Sequence, residues 1–324
     1  MTTAKCYGEA MQDIDLLDAL EVEPTSEEGS YLGHRPDNAV ELWRIGRVYG
    51  GYILAQALAA SFHTVSEDKL AHSLHAYFHK TGDVELPITY QVTVLRDGRT
   101  YATRQVLAMQ NEKLICSMTV SFKTRDQDEV FEHSMPEVLS PQAAIDMRAG
   151  RRFPRMNPPM SFGGQVQIEP CTNGIFREDL LEEGEVRDLN FGAWIKLLDD
   201  QPLTERQQQI MTVFMSDGPI SVCGALKHSG YPNLTHQTMS LDHSIWFHSP
   251  AEARNWTLLS ATSRATRDGR SLNDASLYRE SGELVASIRQ ESLLRKIERT
   301  DAELEAMIKT SKAEWEKLRP PETN

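Results

Sequence analysis

An α+β chain in which one unit of antiparallel sheet and helix is built twice is the fold class this sequence predicts. Three observations predict it. The first is a repeat. Ala76-Tyr77-Phe78-His79 returns as Ile245-Trp246-Phe247-His248 at an offset of 169, and Arg96-Asp97-Gly98-Arg99-Thr100 as Arg267-Asp268-Gly269-Arg270-Ser271 at 171. Leu114-Ile115-Cys116-Ser117-Met118 returns as Leu284-Val285-Ala286-Ser287-Ile288 at 170. Three matches in one order at nearly one offset mark a duplicated unit. The second is strand alternation: Ile88, Tyr90, Val92 and Val94 fall on one face, with Thr89, Gln91 and Thr93 on the other. The third is residues 48–61, apolar almost all round a helical period, which describes a helix buried on every side.

In the first copy, residues 48–61 form that helix and 88–95 a strand running into the Arg-Asp-Gly turn. Residues 101–109 form the next strand, Gln110-Asn111-Glu112-Lys113 a turn, and 114–122 the last strand. The second copy offers strands at 240–248, 256–263, 271–278 and 284–294, with 210–215 as its buried helix. A long helix wrapped by a curled antiparallel sheet is a hotdog unit. Two such units sharing one continuous sheet around central helices make a double hotdog. The units are expected at 16–124 and 184–295. Between them, 125–183 reads as a linker with little regular structure, for it carries Arg151-Arg152, Pro154, Pro158-Pro159 and Gly163-Gly164. Residues 296–324 are expected as a C-terminal helical tail, with Leu304, Met307, Ile308 and Trp315 at helical spacings. That tail lies on the domain surface or meets a partner chain, so a homo-oligomer stays open.

Composition removes several classes of function. The 324 residues are 40% apolar and 25% charged, the mix of a globular chain. Acidic residues outnumber basic ones 47 to 34, so a general nucleic-acid binder is not expected. No apolar run spans a membrane, and the N-terminal residues lack the apolar core of a secretion signal. The ending Pro320-Pro321-Glu322-Thr323-Asn324 is not a peroxisomal signal, so a cytoplasmic protein is expected. Cys6, Cys116, Cys171 and Cys223 are far apart, which fits free thiols and no metal pair. His72, His75 and His79 suit a strand, which would put His72 on the face opposite the other two; no metal site is expected there. A Gly-x-Ser-x-Gly elbow, a phosphate-binding loop and a dinucleotide fingerprint are all missing from the sequence, so no cofactor is expected.

The most specific stretches are Val48-Tyr49-Gly50-Gly51, Leu74-His75-Ala76-Tyr77-Phe78 and Leu95-Arg96-Asp97-Gly98. In the second copy they are Leu241-Asp242-His243-Ser244-Ile245-Trp246-Phe247-His248 and Val285-Ala286-Ser287 leading to Gln290-Glu291. From about Leu16 to Arg295 these resemble the acyl-CoA thioesterase II family, the TesB-like double-hotdog hydrolases. The resemblance implies an acyl-CoA thioesterase whose water is activated by an Asp, a Ser or Thr, and a Gln from the C-terminal copy. It places the Asp at Asp242 and the Gln at Gln290. Counting back from Arg270-Ser271 puts the hydroxyl at Ser263, with Thr262 as the alternative.

The chemistry is consistent. A thioester carbonyl is electrophilic, so hydrolysis needs a base for water and donors for the oxyanion, without a covalent nucleophile. The repeat matches Asp242 to Ser73 and Gln290 to Val120, so one site per chain is expected. Gly50-Gly51 has two readings: close approach of neighbouring chain, or N–H groups at a helix start that bind an oxyanion or a carboxylate. His243, taken to face away from Asp242, reads as structural, and Trp246 and Phe247 as core. An enzyme acting on carrier-bound acyl groups and an acyl-binding protein without activity are the competing readings.

Overall fold

A computed structural model describes residues 16–34, 47–126, 129–149, 165–172, 186, 190–199, 201–228 and 235–306. The first copy contains α1 (Leu16–Leu20), β1 (Val22–Pro24), β2 (Ser30–Gly33), α2 (Gly50–Phe62), β3 (Lys69–Phe78), β4 (Ile88–Asp97), β5 (Tyr101–Gln110) and β6 (Lys113–Thr124). Then follow α3 (Pro141–Ala149), β7 (Val166–Pro170), β8 (Phe191–Leu197), α4 (Glu205–Ser221), α5 (Cys223–His228), β9 (His236–Ser240), β10 (Asp242–Phe247), β11 (Thr257–Arg267), β12 (Arg270–Arg279) and β13 (Leu284–Lys296).

All the strands join one antiparallel sheet in the order β1-β2-β4-β5-β6-β3-β10-β13-β12-β11-β8-β7, with β9 also paired to β13. The order is palindromic about its centre: 4-5-6-3 on one side meets 10-13-12-11, the matching strands reversed, on the other. The two copies are joined where β3 pairs β10, with Leu74 opposite Ile245. This is a double hotdog.

Helix α2 is buried from Gly51 to Phe62, as its uniform apolarity requires. Its partner α4 is longer than the apolar stretch 210–215, because a capping box starts it earlier: Thr204 Oγ1 accepts from Gln207 N, and Gln207 Oε1 accepts from Thr204 N at 3.0 Å. The turn after β11 is a two-residue hairpin with Asp268 at φ 53° and Gly269 at φ 69°. Positive φ at both central residues matches the twist of the flanking strands, which suits Asp-Gly.

Two expectations differ from the structure. The segment 125–183 contains α3 and β7, and β7 pairs with β8 to lengthen the sheet. Its Arg151-Arg152, Pro154, Pro158-Pro159 and Gly163-Gly164 lie outside the described residues, as do Met307, Ile308 and Trp315 of the tail. Residues 301–306 are helical. Trp246 is on the exposed face of the sheet with its ring edge against His75, because β10 alternates and Ile245 takes the inner side.

Candidate active site

A pair of register irregularities decides which residues meet. In the first copy, Ala71 pairs with Phe122 but Ser73 with Ser121, so one extra residue bulges from β3. The second copy repeats it. Ser240 pairs with Ser292, whereas Ser244 pairs with Arg289, and extending both registers sets Leu241 and Asp242 together against Glu291. A bulge of this kind reverses the alternation downstream of it. Ser240 and His243 therefore face the same, inner side, and Asp242 is turned away from it.

On that inner side lies a continuous hydrogen-bonded chain. Asp217, near the C-terminal end of α4 and 3% exposed, accepts the Ser240 hydroxyl on Oδ1 at 2.7 Å and the Gly51 N–H on Oδ2 at 3.1 Å. Gln290 Nε2 donates to Ser240 Oγ at 2.8 Å and to Ser292 Oγ at 3.2 Å. Gln290 Oε1 meets His243 Nδ1 at 2.7 Å, and His243 Nε2 meets Ser216 Oγ at 3.0 Å. Gln290 and His243 are fully buried. Buried polar groups of this kind cost free energy unless every one is paired. At the matched positions of the first copy stand Ala71, Leu74, Val120 and Phe122, all buried and apolar, in place of Ser240, His243, Gln290 and Ser292.

Asp217 owes its position to Tyr49, the residue preceding α2. The Tyr49 hydroxyl donates to Phe214 O at 2.8 Å and accepts from Gly218 N at 2.7 Å. Those are the two ends of an ordinary i to i−4 helical bond, so the phenol is inserted into the ladder of α4 one residue from Asp217. Pro219 follows at once and could not have continued that ladder. Burial pushes the Tyr49 hydroxyl well above its usual pKa, and the Asp217 charge adds to the rise. Cys116 is pushed up to about 12, by burial first and by Asp217 second.

The close-approach reading of Gly50-Gly51 is met, and of the other reading the structure holds a carboxylate of the protein on Gly51 alone. A Cβ on Gly50 would stand 2.6 Å from Asp217 Oδ2, and one on Gly51 2.5 Å from Phe214 O, so the two helices touch here only through glycine. At the same time Gly51 N–H holds the carboxylate, at the positive end of α2. Among the described residues no acceptor meets the Gly50 N–H.

Two residues expected in the site are not brought to Gln290. Asp242 uses Oδ1 to accept from Glu291 N at 2.6 Å, which closes the bulge. Its carboxyl is half-buried and raised above its ordinary value, chiefly by desolvation, and the Glu291 N–H works against that rise. Ser263 shares the inner face but is two strands away, through Asn273. At about 4.8 Å per strand that is roughly 10 Å. Thr262 pairs with Asp274 and faces outward. Sequence reasoning missed Asp217, Ser240, His243 and Tyr49. Signals for two of them were present: Asp217 is the only charged residue between Ile210 and Ile220, and Ser240 replaces Ala71 at the repeat offset of 169.

Comparison with known proteins agrees with the fold. Residues 39–123 match the family model for the acyl-CoA thioesterase N-terminal domain, and residues 142–294 the model for the acyl-CoA thioesterase C-terminal domain. Acyl-CoA thioesterase 2 of Haemophilus influenzae is 30% identical over 260 residues, covering 77% of this chain and 88% of that protein. Human acyl-coenzyme A thioesterase 8 is 30% identical over 264 residues, covering 77% and 81%. The solved structure of acyl-CoA thioesterase II TesB2 from Mycobacterium marinum superposes with a TM-score of 0.68 at 25% identity, covering 87% of this chain and 99% of that one.

Proposed function

The chain belongs to the TesB-like acyl-CoA thioesterase II family, and from that premise we propose how its residues hydrolyse an acyl-CoA. The protein is a thioester hydrolase that converts acyl-CoA to a carboxylic acid and CoA. The water sits against Asp217, Ser240 and Gln290. It accepts a hydrogen bond from Gln290 Nε2, in exchange for the longer one to Ser292, and donates to the Asp217 carboxylate. Asp217 takes the water's proton as oxygen attacks the thioester carbon. The carbonyl oxygen becomes the oxyanion and is held by the Gly50 N–H at the start of α2. Collapse re-forms the carbonyl and breaks the C–S bond, and the proton on Asp217 passes to the departing sulfur. Ser240 fixes the carboxylate and the amide relative to each other, which removes the entropy of assembling them.

One observation carries this reading. The inner-face polar residues Ser240, His243, Gln290 and Ser292 replace four buried apolar residues of the other copy, and the chain they form ends on a buried carboxylate at a helix start. A duplicated core does not need such a substitution for stability. Single turnover of an acyl-CoA in ¹⁸O-labelled water tests it. Label should appear in the released acid and none in the protein, whereas label on Asp217 would mean a covalent acyl-carboxylate path.

A further inference from the structure

The direction of each hydrogen bond from Asp217 to His243 Nδ1 is fixed by the carboxylate at its end. A carboxylate can only accept, so the single Ser240 hydroxyl proton is committed to Asp217 Oδ1. Ser240 Oγ must then be approached by a donor, which orients Gln290 with Nε2 towards Ser240 and Oε1 away from it. Among the described residues Oε1 has one partner, His243 Nδ1 at 2.7 Å. That nitrogen therefore carries a proton. His243 Nε2 is left to pair with the Ser216 hydroxyl, which also reaches Val213 O at 2.8 Å. His243 is completely buried, and Asp217 Oδ1 is 4.0 Å from its Nδ1.

We infer that His243 is a positioning residue: its Nδ1–H holds the Gln290 amide in the one orientation that presents N–H, and not carbonyl, to the attacking water. The inference rests on the role given above to Gln290. An amide turned over by half a revolution has the same shape and fills the same space, so packing does not distinguish the two orientations. Only the polarity of a neighbour does. A turned Gln290 would aim its carbonyl at Ser240 and at the water, leaving the water without that donor and Ser240 without its own. The repeat supports a role beyond packing. Leu74 occupies the matched position opposite Val120, so the fold accepts a leucine there when no amide has to be held.

Three replacements separate the possibilities. His243→Leu installs the first copy's residue and removes the donor. His243→Asn places an amide nitrogen where Nδ1 is now, and His243→Gln places it nearer Nε2. With acyl-CoA as substrate, and folding checked by circular dichroism, His243→Leu should lower kcat by about 10- to 100-fold with KM nearly unchanged, the scale of a misoriented group. His243→Asn should recover most of that loss and His243→Gln should not. In a Gln290→Ala background, His243→Leu should change kcat by less than about twofold, since the two act through one amide.

Wild-type kcat in His243→Leu, with Gln290→Ala impaired, overturns the inference and leaves the role of Gln290 standing. An equal loss from His243→Leu with and without Gln290 overturns it too, since His243 would then act independently. Wild-type kcat in Gln290→Ala removes the role of Gln290 and the inference with it. If His243→Leu does not fold, the Asn and Gln variants decide: equal kcat in both overturns the proposal.

Discussion

Ser240 Oγ lies 2.7 Å from Asp217 Oδ1, linking a strand to a helix 23 residues earlier in the chain. Among the described residues, the Asp242 carboxylate, two residues beyond Ser240, accepts from the Glu291 backbone N–H. The two carboxylates thus hold different partners, and the proposed mechanism gives them different tasks. Asp217→Asn should lower kcat by about 10²-fold or more while the protein stays folded, as expected for a positioned base. Asp242→Asn should leave kcat close to wild type and cost about 1 kcal/mol through a weaker bond to Glu291 N–H. Steady-state thiol release and denaturant unfolding on both variants measure the two effects. Loss of turnover in Asp242→Asn with none in Asp217→Asn would return the base to Asp242.

The copies should respond differently to the same truncation. Gln290→Ala removes a donor from the site and should act on kcat. Val120→Ala, at the matched position, opens a small cavity in a fully buried spot and should cost on the order of 2 kcal/mol of stability. Its turnover at a temperature where it is folded should equal that of the wild type. A kcat defect in folded Val120→Ala would mean that the first copy takes part in the chemistry.

Substituting the helix contact should fail sterically before it fails chemically. Gly51→Ala brings a methyl group to 2.5 Å from Phe214 O, which is backbone and has little room to give. The helices must separate, at a cost of about 1–3 kcal/mol, and the Gly51 N–H to Asp217 lengthens with them. Calorimetry should find a lower Tm and the kinetic assay a lower kcat in one variant. A Tm within a degree or so of wild type would show that α2 moves aside freely.

Acidification should destabilise the fold. His72, His228, His236 and His248 are all held below 6.5 by partial burial. Lys123 adds to this at His72, while Glu132 opposes it at His248. His236 is pushed down further by His228, whose ring centre is 5.6 Å away, and by Lys296. Each binds its proton more readily in the unfolded chain. As pH falls from about 6.5 through the lower folded values, the unfolded state gains protons first and stability drops. Tm should fall between about pH 7.5 and pH 5, and His236→Gln should make the fall shallower. A Tm that rises over that interval would reverse the sign.

How much of this was legible in the sequence depends on which residues are asked about. The repeated Ala76 and Leu114 blocks located β3, β6, β10 and β13, because short-range alternation and a fixed offset survive without tertiary information. Gln290 came from the family resemblance, and the offset only set it against Val120. The bulge came from neither. Treated as one strand, residues 240–248 put Asp242 on the face of Ser240 and His243 on the other. The extra residue at Leu241-Asp242 reverses that assignment, and no local propensity announces it. Asp217 was hidden for a different reason: its partners come from β9 and from the start of α2, 166 residues away from Asp217 at Gly51.

The phenol of Tyr49 within the α4 ladder has a consequence for how the molecule breathes. In an unbroken helix an amide proton is guarded by its own segment, and it exchanges when that segment frays. The proton on Gly218 is guarded instead by a side chain from the opposite half of the chain, 169 residues distant. Its exchange with solvent therefore reports separation of the two copies, with α4 itself still wound. Deuterium uptake at Gly218 becomes a gauge of the seam between the copies, and it is read one residue from Asp217.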